Sequence, residues 1–303
     1  MRASGRWPAA LLMTFVVAHA ATALAQSPVA APMAVSENDG AGAGVTADPC
    51  AALEPAPEVV TAYMIESAKA RSAKRPPPVP SKDALAVYNA WQGRLAAKDF
   101  SGRCSYERAN QALAPATDHR VVLFGDSITQ LWGAMDPDFF KGDTINRGVS
   151  SQTTAQMLGR FRADAIEPGP KVILILAGTN DIAGNTGPTS LSRIEDNIEA
   201  MAELAKAHGI RIILGSVLPT SGYKWRPAIR PVETIKSLNG WLQAYAQRNG
   251  LIYVDYYAAL VDADGGFKTA LTTDGVHPNV DGYKVMRPLA ERAIRQALQA
   301  AGR

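Results

Sequence analysis

Three short polar clusters contain the residues of this chain that are best suited to chemistry. Gly-Asp-Ser at 125–127, Gly-Thr-Asn-Asp at 178–181 and Asp-Gly-Val-His-Pro at 274–278 supply a hydroxyl, an amide and a carboxylate–imidazole pair. A serine hydroxyl becomes a good nucleophile when a base removes its proton, and a neutral imidazole held by a carboxylate is the usual base. The three clusters therefore predict one serine-nucleophile site.

The base can be chosen by elimination because the sequence has only four histidines, one of them in a segment that we expect to be removed. His119 precedes the first predicted strand, which is the wrong edge of a parallel sheet for Ser127. His208 stands at a helix end, where a cation is favourable against the helix dipole and a structural role is the simpler interpretation. His277 remains, and Asp274 is near enough in sequence to orient its ring.

Other carboxylates leave alternatives open. An isolated Asp-x-x-His is by itself more typical of a turn with an exposed histidine than of a catalytic pair, so Asp274 needs the other two clusters beside it. Asp126 and Asp181 adjoin site residues without an obvious proton partner. We interpret both as acceptors that organise loops, with the alternative that one of them replaces Asp274 as the orienting group. Asp255 has a similar structural interpretation.

The clusters are positioned by alternating strand and helix patterns. Apolar runs predict strands at 121–124, 144–146, 172–177, 210–214 and 251–254, and helical patterns lie at 154–163, 190–207, 232–247 and 280–300, the last kinked or restarted at Pro288. This alternation predicts an α/β fold with a five-stranded parallel sheet. Ser127 and Asn180 then follow the carboxyl ends of two strands, the edge where ligands bind in open α/β sheets.

The first residues have the pattern of a secretory signal. Arg2 and Arg6 precede an apolar run at 9–18, and Ala-Leu-Ala at 23–25 is a cleavage pattern, so we expect a signal peptide at 1–25 with cleavage near Ala25. The run is shorter than the about 20 apolar residues that span a bilayer. We therefore expect a periplasmic or secreted protein without a stable membrane anchor.

The mature chain is predicted to have three parts. Residues 26–60 are a flexible leader rich in Ala, Pro and Gly, residues 61–117 are a helical extension, and residues 118–303 are the main domain. Helices are predicted at 61–73 and 82–97, with a polyproline spacer between them. Ser81 should cap the second helix, and its apolar stripe implies packing against the main domain; the stripe consists of Ala84, Tyr88, Trp91 and Leu95.

Charge and cysteines limit the function classes. The formal net charge of +3 falls to 29 − 28 = +1 without the two arginines of the signal, so nucleic acid is not an expected partner. Cys50 and Cys104 can pair in an oxidising compartment, and two free thiols are the alternative. Two cysteines without clustered histidines argue against a structural zinc site.

Four sequence blocks in order resemble those of the SGNH, or GDSL, hydrolase superfamily. They are Gly-Asp-Ser-Ile-Thr at 125–129, Gly148 within Asn-Arg-Gly-Val-Ser at 146–150, Gly-Thr-Asn-Asp at 178–181 and Asp-Gly-Val-His-Pro at 274–278. Thr129 stands where the nucleophile elbow of an α/β-hydrolase needs glycine. We therefore predict a flavodoxin-like three-layer sandwich with strand order 2-1-3-4-5, preceded by a partly helical N-terminal extension.

The resemblance implies a role for each matched residue. Ser127 is the nucleophile, His277 the general base and then acid, and Asp274 the orienting carboxylate. The oxyanion hole combines the backbone N–H groups of Ser127 and Gly148 with the side-chain amide of Asn180. The implied reaction is hydrolysis of carboxylic esters through an acyl-enzyme, and it requires no metal or organic cofactor.

Substrate preference rests on weaker signals. The loop at 220–231, with Tyr223 and Trp225, is predicted to border the substrate pocket, and an ordinary surface loop is the alternative. Polar, glycine-rich loops near the site favour short acyl groups, so the first hypothesis is an acetyl esterase, possibly on a carbohydrate. A lysophospholipase or thioesterase is the second hypothesis, and a non-catalytic glycan-binding module is the third. The sequence indicates no oligomeric state.

Overall fold

The computed structural model describes residues 48–301. The predicted signal peptide and the first part of the predicted leader, up to residue 47, lie outside the described residues. No helix within 48–301 is both long and apolar enough to cross a membrane. The chain divides into two compact units: one contains Val79–Phe100 and the residues up to Glu66, and the other contains Ser67–Pro78 and the residues from Ser101 onward.

The second unit contains the sheet. Its strands are β1 (Val121–Gly125), β2 (Thr144–Gly148), β3 (Val172–Leu176), β4 (Arg211–Gly215) and β5 (Ile252–Val254). All four pairings are parallel, and the order across the sheet is β2-β1-β3-β4-β5. The predicted fold class and strand order are confirmed.

The helices are α1 (Glu58–Ser72), α2 (Lys82–Lys98), α3 (Glu107–Gln111), α4 (Ser127–Met135), α5 (Thr154–Phe161), α6 (Thr179–Ile182), α7 (Leu191–Ala207), α8 (Val232–Asn249), α9 (Tyr256–Leu260) and α10 (Val280–Ala301). Short 3₁₀ turns lie at Pro49–Ala52, Arg103–Ser105, Pro137–Phe140 and Thr269–Leu271, and a π-helical turn at Arg162–Ile166 follows α5. The sequence predicted that Pro288 kinks the last helix or makes it restart. The helix does not restart, because α10 is continuous through Pro288. Buried alanines after the proline pack against the sheet, which offsets the lost backbone hydrogen bond.

Alternating side chains of the central strands form a core on each face of the sheet. In β1, Val122 and Phe124 belong to a cluster with residues of α5, α7 and α8, while Val121 and Leu123 belong to a cluster with residues of α4 and α10. Because both faces are covered, the strands read as continuous apolar runs. The sheet therefore gives a fixed carboxyl edge on which side chains can be placed.

The first unit contains the predicted second helix, which begins one residue after its predicted cap. The Ser81 side chain accepts a hydrogen bond from the N–H of Ala84. The apolar stripe on this helix is half-buried, and none of its residues is fully buried.

Both cysteines of the chain are disulfide-bonded, so the alternative of two free thiols is wrong.

Candidate active site

Ser127 is the first residue of α4, and one residue, Asp126, separates it from the end of β1. Asp126 caps this helix, and its Oδ1 accepts a hydrogen bond of 2.9 Å from the N–H of Ile128. The N–H of Ser127 is not donated to any acceptor among residues 48–301. A free N–H at a helix N-terminus favours negative charge beside the serine hydroxyl.

The hydroxyl of Ser127 lies next to the ring of His277, although the two residues are 150 positions apart in the chain. Ser127 Oγ is 2.9 Å from His277 Nε2, and His277 Nδ1 is 2.9 Å from Asp274 Oδ2. With the proton of the neutral ring on Nδ1, Nε2 can accept the serine proton. The three side chains therefore form a continuous chain of hydrogen bonds with the geometry of a nucleophile, a base and an orienting carboxylate.

The turn between Asp274 and His277 holds this pair in place. Asp274 Oδ1 accepts hydrogen bonds from the N–H groups of Val276, at 3.0 Å, and His277, at 2.8 Å. Gly275 has φ 87°, a left-handed conformation that costs glycine little. Thr272 Oγ1 donates to the carbonyl of His277 at 2.7 Å, which closes the loop from the other side.

Two neighbouring side chains favour the ionised form of Asp274. Burial would raise the pKa of this carboxyl, but the imidazole of His277 and the guanidinium of Arg71 outweigh burial and hold the pKa well below its usual range. Arg71 Nη1 is 2.7 Å from Asp274 Oδ2, and both side chains are 12% exposed. Asp274 is therefore ionised at neutral pH.

The predicted oxyanion donors Gly148 and Asn180 lie in the same region, but both are engaged by the protein. The N–H of Gly148 donates to Asn146 Oδ1 at 2.9 Å. Asn180 Nδ2 donates to Asp126 Oδ2 at 3.1 Å and to the carbonyl of Gln152 at 3.0 Å. Of the three predicted donors, only the Ser127 N–H has no acceptor within the described residues.

The other carboxylates near the site have different partners. Asp126 is buried between the Ile128 N–H and the Asn180 amide, and burial raises its pKa to about 7. Burial also raises the pKa of Asp181 to about 6, although the N–H and hydroxyl of Thr154 both donate to it. The ring N–H of His277 donates to Asp274 and to neither of these two carboxylates. Asp126 and Asp181 accept hydrogen bonds that hold loops, as the sequence analysis predicted.

Asp255, the remaining carboxylate of the sequence analysis, also has a local structural contact. It caps α9 and accepts a hydrogen bond of 2.9 Å from the N–H of Ala258. This contact fits the structural interpretation.

The loop predicted to border the pocket contributes one buried and one exposed aromatic ring. Tyr223 is 2% exposed and packs with Ala183 and Val276. Its hydroxyl oxygen is 3.0 Å from Thr179 Oγ1. It therefore offers a substrate almost no surface. Trp225 keeps 45% of its surface exposed, and its Nε1 donates to Asn185 Oδ1 at 3.0 Å.

A cavity of about 530 Å³ lies beside this loop. Its lining includes Asp181, Gly184, Ser190, Arg226 and Ile229, and does not include Ser127 or His277. The cavity therefore lies beside the Gly-Thr-Asn-Asp segment at 178–181 and does not contain Ser127 or His277.

Three residues that contact the site were missed by the sequence analysis. Arg71 contacts Asp274, the hydroxyl of Tyr106 donates to the carbonyl of Gly148 at 2.6 Å, and Asn185 Nδ2 donates to Asn180 Oδ1 at 2.8 Å. Arg71 and Tyr106 come from before the first strand. No local pattern marks Arg71 or Tyr106, because their partners at the site are distant in sequence.

Comparison with known proteins gives a consistent set of relatives. The model of the GDSL-like Lipase/Acylhydrolase family matches residues 123–285. A crystal structure of a GDSL-like lipase from Bacteroides thetaiotaomicron is 42% identical, covers 65% of this chain and 99% of its own, and superimposes with a TM-score of 0.64.

Two curated proteins are more distant relatives. The lipoprotein YqeF of Bacillus subtilis is 28% identical, over 59% of this chain and 87% of its own length. The GDSL esterase/lipase CPRD49 of Arabidopsis thaliana is 28% identical, over 59% of this chain and 79% of its own.

Proposed function

This chain belongs to the GDSL-like lipase/acylhydrolase family and is a carboxylic ester hydrolase, and from that premise we propose that Ser127, His277 and Asp274 carry out the hydrolysis. The observation that supports this assignment is the continuous chain of contacts from Ser127 Oγ through the ring of His277 to Asp274, with both distances at 2.9 Å. The enzyme class sets aside the hypothesis of a non-catalytic glycan-binding module.

In the proposed reaction Ser127 Oγ attacks the acyl carbonyl while its proton moves to His277 Nε2. The ester C–O bond breaks, the departing alkoxide takes that proton, and the acyl group remains on Ser127 as an ester. Water then attacks the acyl carbon while one of its protons moves to His277 Nε2. The bond between the acyl carbon and Ser127 Oγ breaks, the carboxylic acid leaves, and the proton on His277 returns to Ser127 Oγ. Asp274 stays ionised throughout and stabilises the imidazolium that forms in both steps.

The proposed oxyanion hole consists of the N–H groups of Ser127 and Gly148 and the amide of Asn180. The N–H of Ser127 is open, whereas the donors of Gly148 and Asn180 would have to share or exchange their present acceptors when the oxyanion forms. One such donor is commonly worth about 3 kcal/mol of transition-state stabilisation.

We assign the enzyme short acyl groups, with an acetylated carbohydrate as the favoured substrate class. A long acyl chain needs apolar surface beside the nucleophile. Among the large apolar side chains that are exposed in residues 48–301, only Trp225 belongs to a loop that contacts the site residues. An exposed indole offers a flat apolar face with a polar edge, which suits a sugar ring better than a flexible fatty chain.

Esters of different chain length test both parts of the proposal. We expect p-nitrophenyl acetate to be hydrolysed faster than the butyrate and much faster than the dodecanoate, and a peracetylated sugar to be deacetylated. Ser127→Ala should abolish turnover and labelling by a fluorophosphonate, while Ser237→Ala, an exposed serine on α8, should keep both. A rate that rises with chain length would favour the lipid or thioester acylhydrolase, and labelling of Ser127→Ala would exclude the proposed nucleophile.

We further propose export, because the pattern at 1–25 is that of a signal peptide. The similarity to a protein named as a lipoprotein supports an envelope or external location. Mass spectrometry of the mature protein should find Gln26 as the first residue, and an intact Met1 in the exported protein would contradict the proposal.

A further inference from the structure

Arg71 lies at the end of α1, more than 50 residues before the segment that the family model matches. It belongs to the same compact unit as Asp274. Its Nη1 donates to Asp274 Oδ2 at 2.7 Å and to Thr273 Oγ1 at 3.3 Å. An arginine and a carboxylate that are both 12% exposed form a largely desolvated pair, so solvent screens the charge-assisted hydrogen bond between them only weakly.

Arg71 completes the set of donors around Asp274. Oδ1 accepts the N–H groups of Val276 and His277, and Oδ2 accepts Nδ1 of His277 and Nη1 of Arg71. Four donors fix both the rotation and the position of the carboxylate. Without Arg71, Oδ2 would keep only the bond to the ring that it has to orient.

We propose, on the basis of the proposed function, that Arg71 is a positioning residue for ester hydrolysis. It holds the Asp274 carboxylate against His277, and it reduces the stabilisation that this carboxylate gives to the protonated form of the ring. A carboxylate stabilises the imidazolium, and a guanidinium on the same oxygen partly cancels that stabilisation. His277 therefore stays free to accept the serine proton at a lower pH than the Asp–His pair alone would allow.

Other charged or titratable groups around the pair act from different elements. Tyr283 on α10 interacts electrostatically with both Arg71 and Asp274, and burial raises its pKa well above the usual value, so it stays neutral. Asp126, at the start of α4, also interacts with Tyr283. Among residues 48–301, Arg71 is the arginine or lysine that contacts the Asp274 carboxylate.

Arg71→Gln in the full chain should move the acid limb of the kcat/KM profile upward by about 0.5 to 1 pH unit, because the carboxylate regains its full hold on the imidazolium. At the plateau, kcat should fall about threefold to tenfold with KM little changed, because the carboxylate loses a donor that positions it. Arg71→Lys should keep the acid limb near that of the wild type, since it keeps the charge, but should lose part of kcat with the planar fork.

Lys74→Gln is the matched control. It removes a cation from the segment that follows Arg71 and breaks an ion pair with Asp281, which lies at the surface. We expect its acid limb and kcat to match the wild type. NMR titration of the His277 ring provides a second readout without turnover: its midpoint should move to higher pH in Arg71→Gln and stay in place in Lys74→Gln.

An acid limb and a ring titration in Arg71→Gln that coincide with those of Lys74→Gln would overturn the proposal. If Arg71→Gln does not fold, Arg71→Lys carries the test, and a kcat equal to that of the wild type would then contradict a positioning role. Ser127→Ala is assayed in parallel. Ester turnover by that variant would refute the proposed nucleophile, and the ring titration would still report whether Arg71 acts on His277.

Discussion

The carboxylates around the reactive serine differ in charge state because their donors differ. Asp274 is held ionised by His277 and Arg71, so its charge is available during turnover. Asp126 and Asp181 are more deeply buried and contact neutral donors, and burial raises the pKa of Asp126 to about 7 and that of Asp181 to about 6. These two groups therefore change charge in the pH range where an esterase is normally assayed.

Asp181→Asn should make the stability of the protein less dependent on pH. A carboxyl whose folded pKa is raised stabilises the fold fully below its ordinary pKa near 4 and loses that contribution as pH rises through about 6. We expect the fall in unfolding free energy between about pH 4 and about pH 8 to be smaller in the variant by about 1 to 3 kcal/mol. Urea unfolding at the two pH values measures this difference.

Asp264→Asn, on an exposed turn, is the control for the same substitution without burial. It should leave the pH dependence of unfolding unchanged. A variant at position 181 whose unfolding free energy falls as steeply as that of the wild type would show that this carboxyl does not titrate in the folded protein.

The residues of the reactive group were predictable because each follows a strong local signal. Ser127 follows an apolar strand, and Asp274 and His277 share one short turn. Arg71 was not predictable, since an arginine at the end of a helix is ordinary and its partner lies 203 positions away. The occupied donors of Gly148 and Asn180 were equally hidden, because they depend on the side chains of Asn146, Asp126 and on the backbone of residue 152.

At the scale of elements, the site depends on the close approach of β2 to the start of α4. Gly125 and Gly148 are paired in the sheet, and the chain turns into α4 directly after Gly125. A Cβ on residue 148 would stand 2.2 Å from the backbone nitrogen of Gln130 and 2.7 Å from the carbonyl oxygen of Asp126. Gly148 is therefore required for packing, whatever its part in the oxyanion hole.

Gly148→Ala should separate the end of β2 from the start of α4. We expect a loss of about 1 to 3 kcal/mol in unfolding free energy, because backbone atoms have to move to admit the methyl group. The kcat/KM for p-nitrophenyl acetate should fall in the folded variant, since Ser127 begins the displaced helix. Urea unfolding and initial rates measure the two effects.

Gly240→Ala is a control with the opposite expected sign. Residue 240 lies within α8 and is exposed, and a methyl group added there would meet no atom within 4 Å apart from the backbone of its own helix. Alanine should stabilise the helix by about 0.5 to 1 kcal/mol and leave activity unchanged. Equal stability of the two variants would contradict the packing argument for Gly148.

Strands and long helices were predictable from periodicity, but short or irregular elements were not. Within residues 118–303 the sequence analysis placed every strand and the order of the sheet, and missed α4, α6 and α9; before β1 it missed α3. These short helices are fixed by caps and by packing at the sheet edge; Asp126 and Asp255 cap two of them. Helices of four to nine residues have too few turns to show a helical pattern of apolar residues in the sequence.

At the scale of the whole molecule, the segment shared with the family does not contain the complete environment of the site. The family model matches residues 123–285, whereas Arg71, Tyr106 and Asn110 precede it. Asn110 accepts a hydrogen bond of 2.8 Å from Nε of Arg147 and donates to Asp164 at 2.7 Å. The residues before β1 thus support the end of β2 from outside the family's pattern of blocks.

Tyr106→Phe tests this support at one atom. The tyrosine ring is 8% exposed, its hydroxyl donates to the carbonyl of Gly148, and the guanidinium of Arg147 lies 4.7 Å from the ring centroid. Phenylalanine keeps the ring and removes the donor, which leaves a buried carbonyl short of a hydrogen bond. We expect a loss of about 1 to 2 kcal/mol in unfolding free energy and a several-fold lower kcat, because Gly148 is no longer held in place.

Tyr256→Phe is the matched control, because this ring is fully buried and its hydroxyl has no hydrogen-bond partner within the part of the chain that the structure describes. Removing an unsatisfied hydroxyl should leave unfolding free energy unchanged or raise it, and kcat should stay the same. Urea unfolding and initial rates on p-nitrophenyl acetate compare the two variants directly. Equal losses of unfolding free energy and of kcat in both variants would mean that the Tyr106 hydroxyl contributes packing volume and no hydrogen-bond stabilisation. The residues before β1 would then not support Gly148 through this bond.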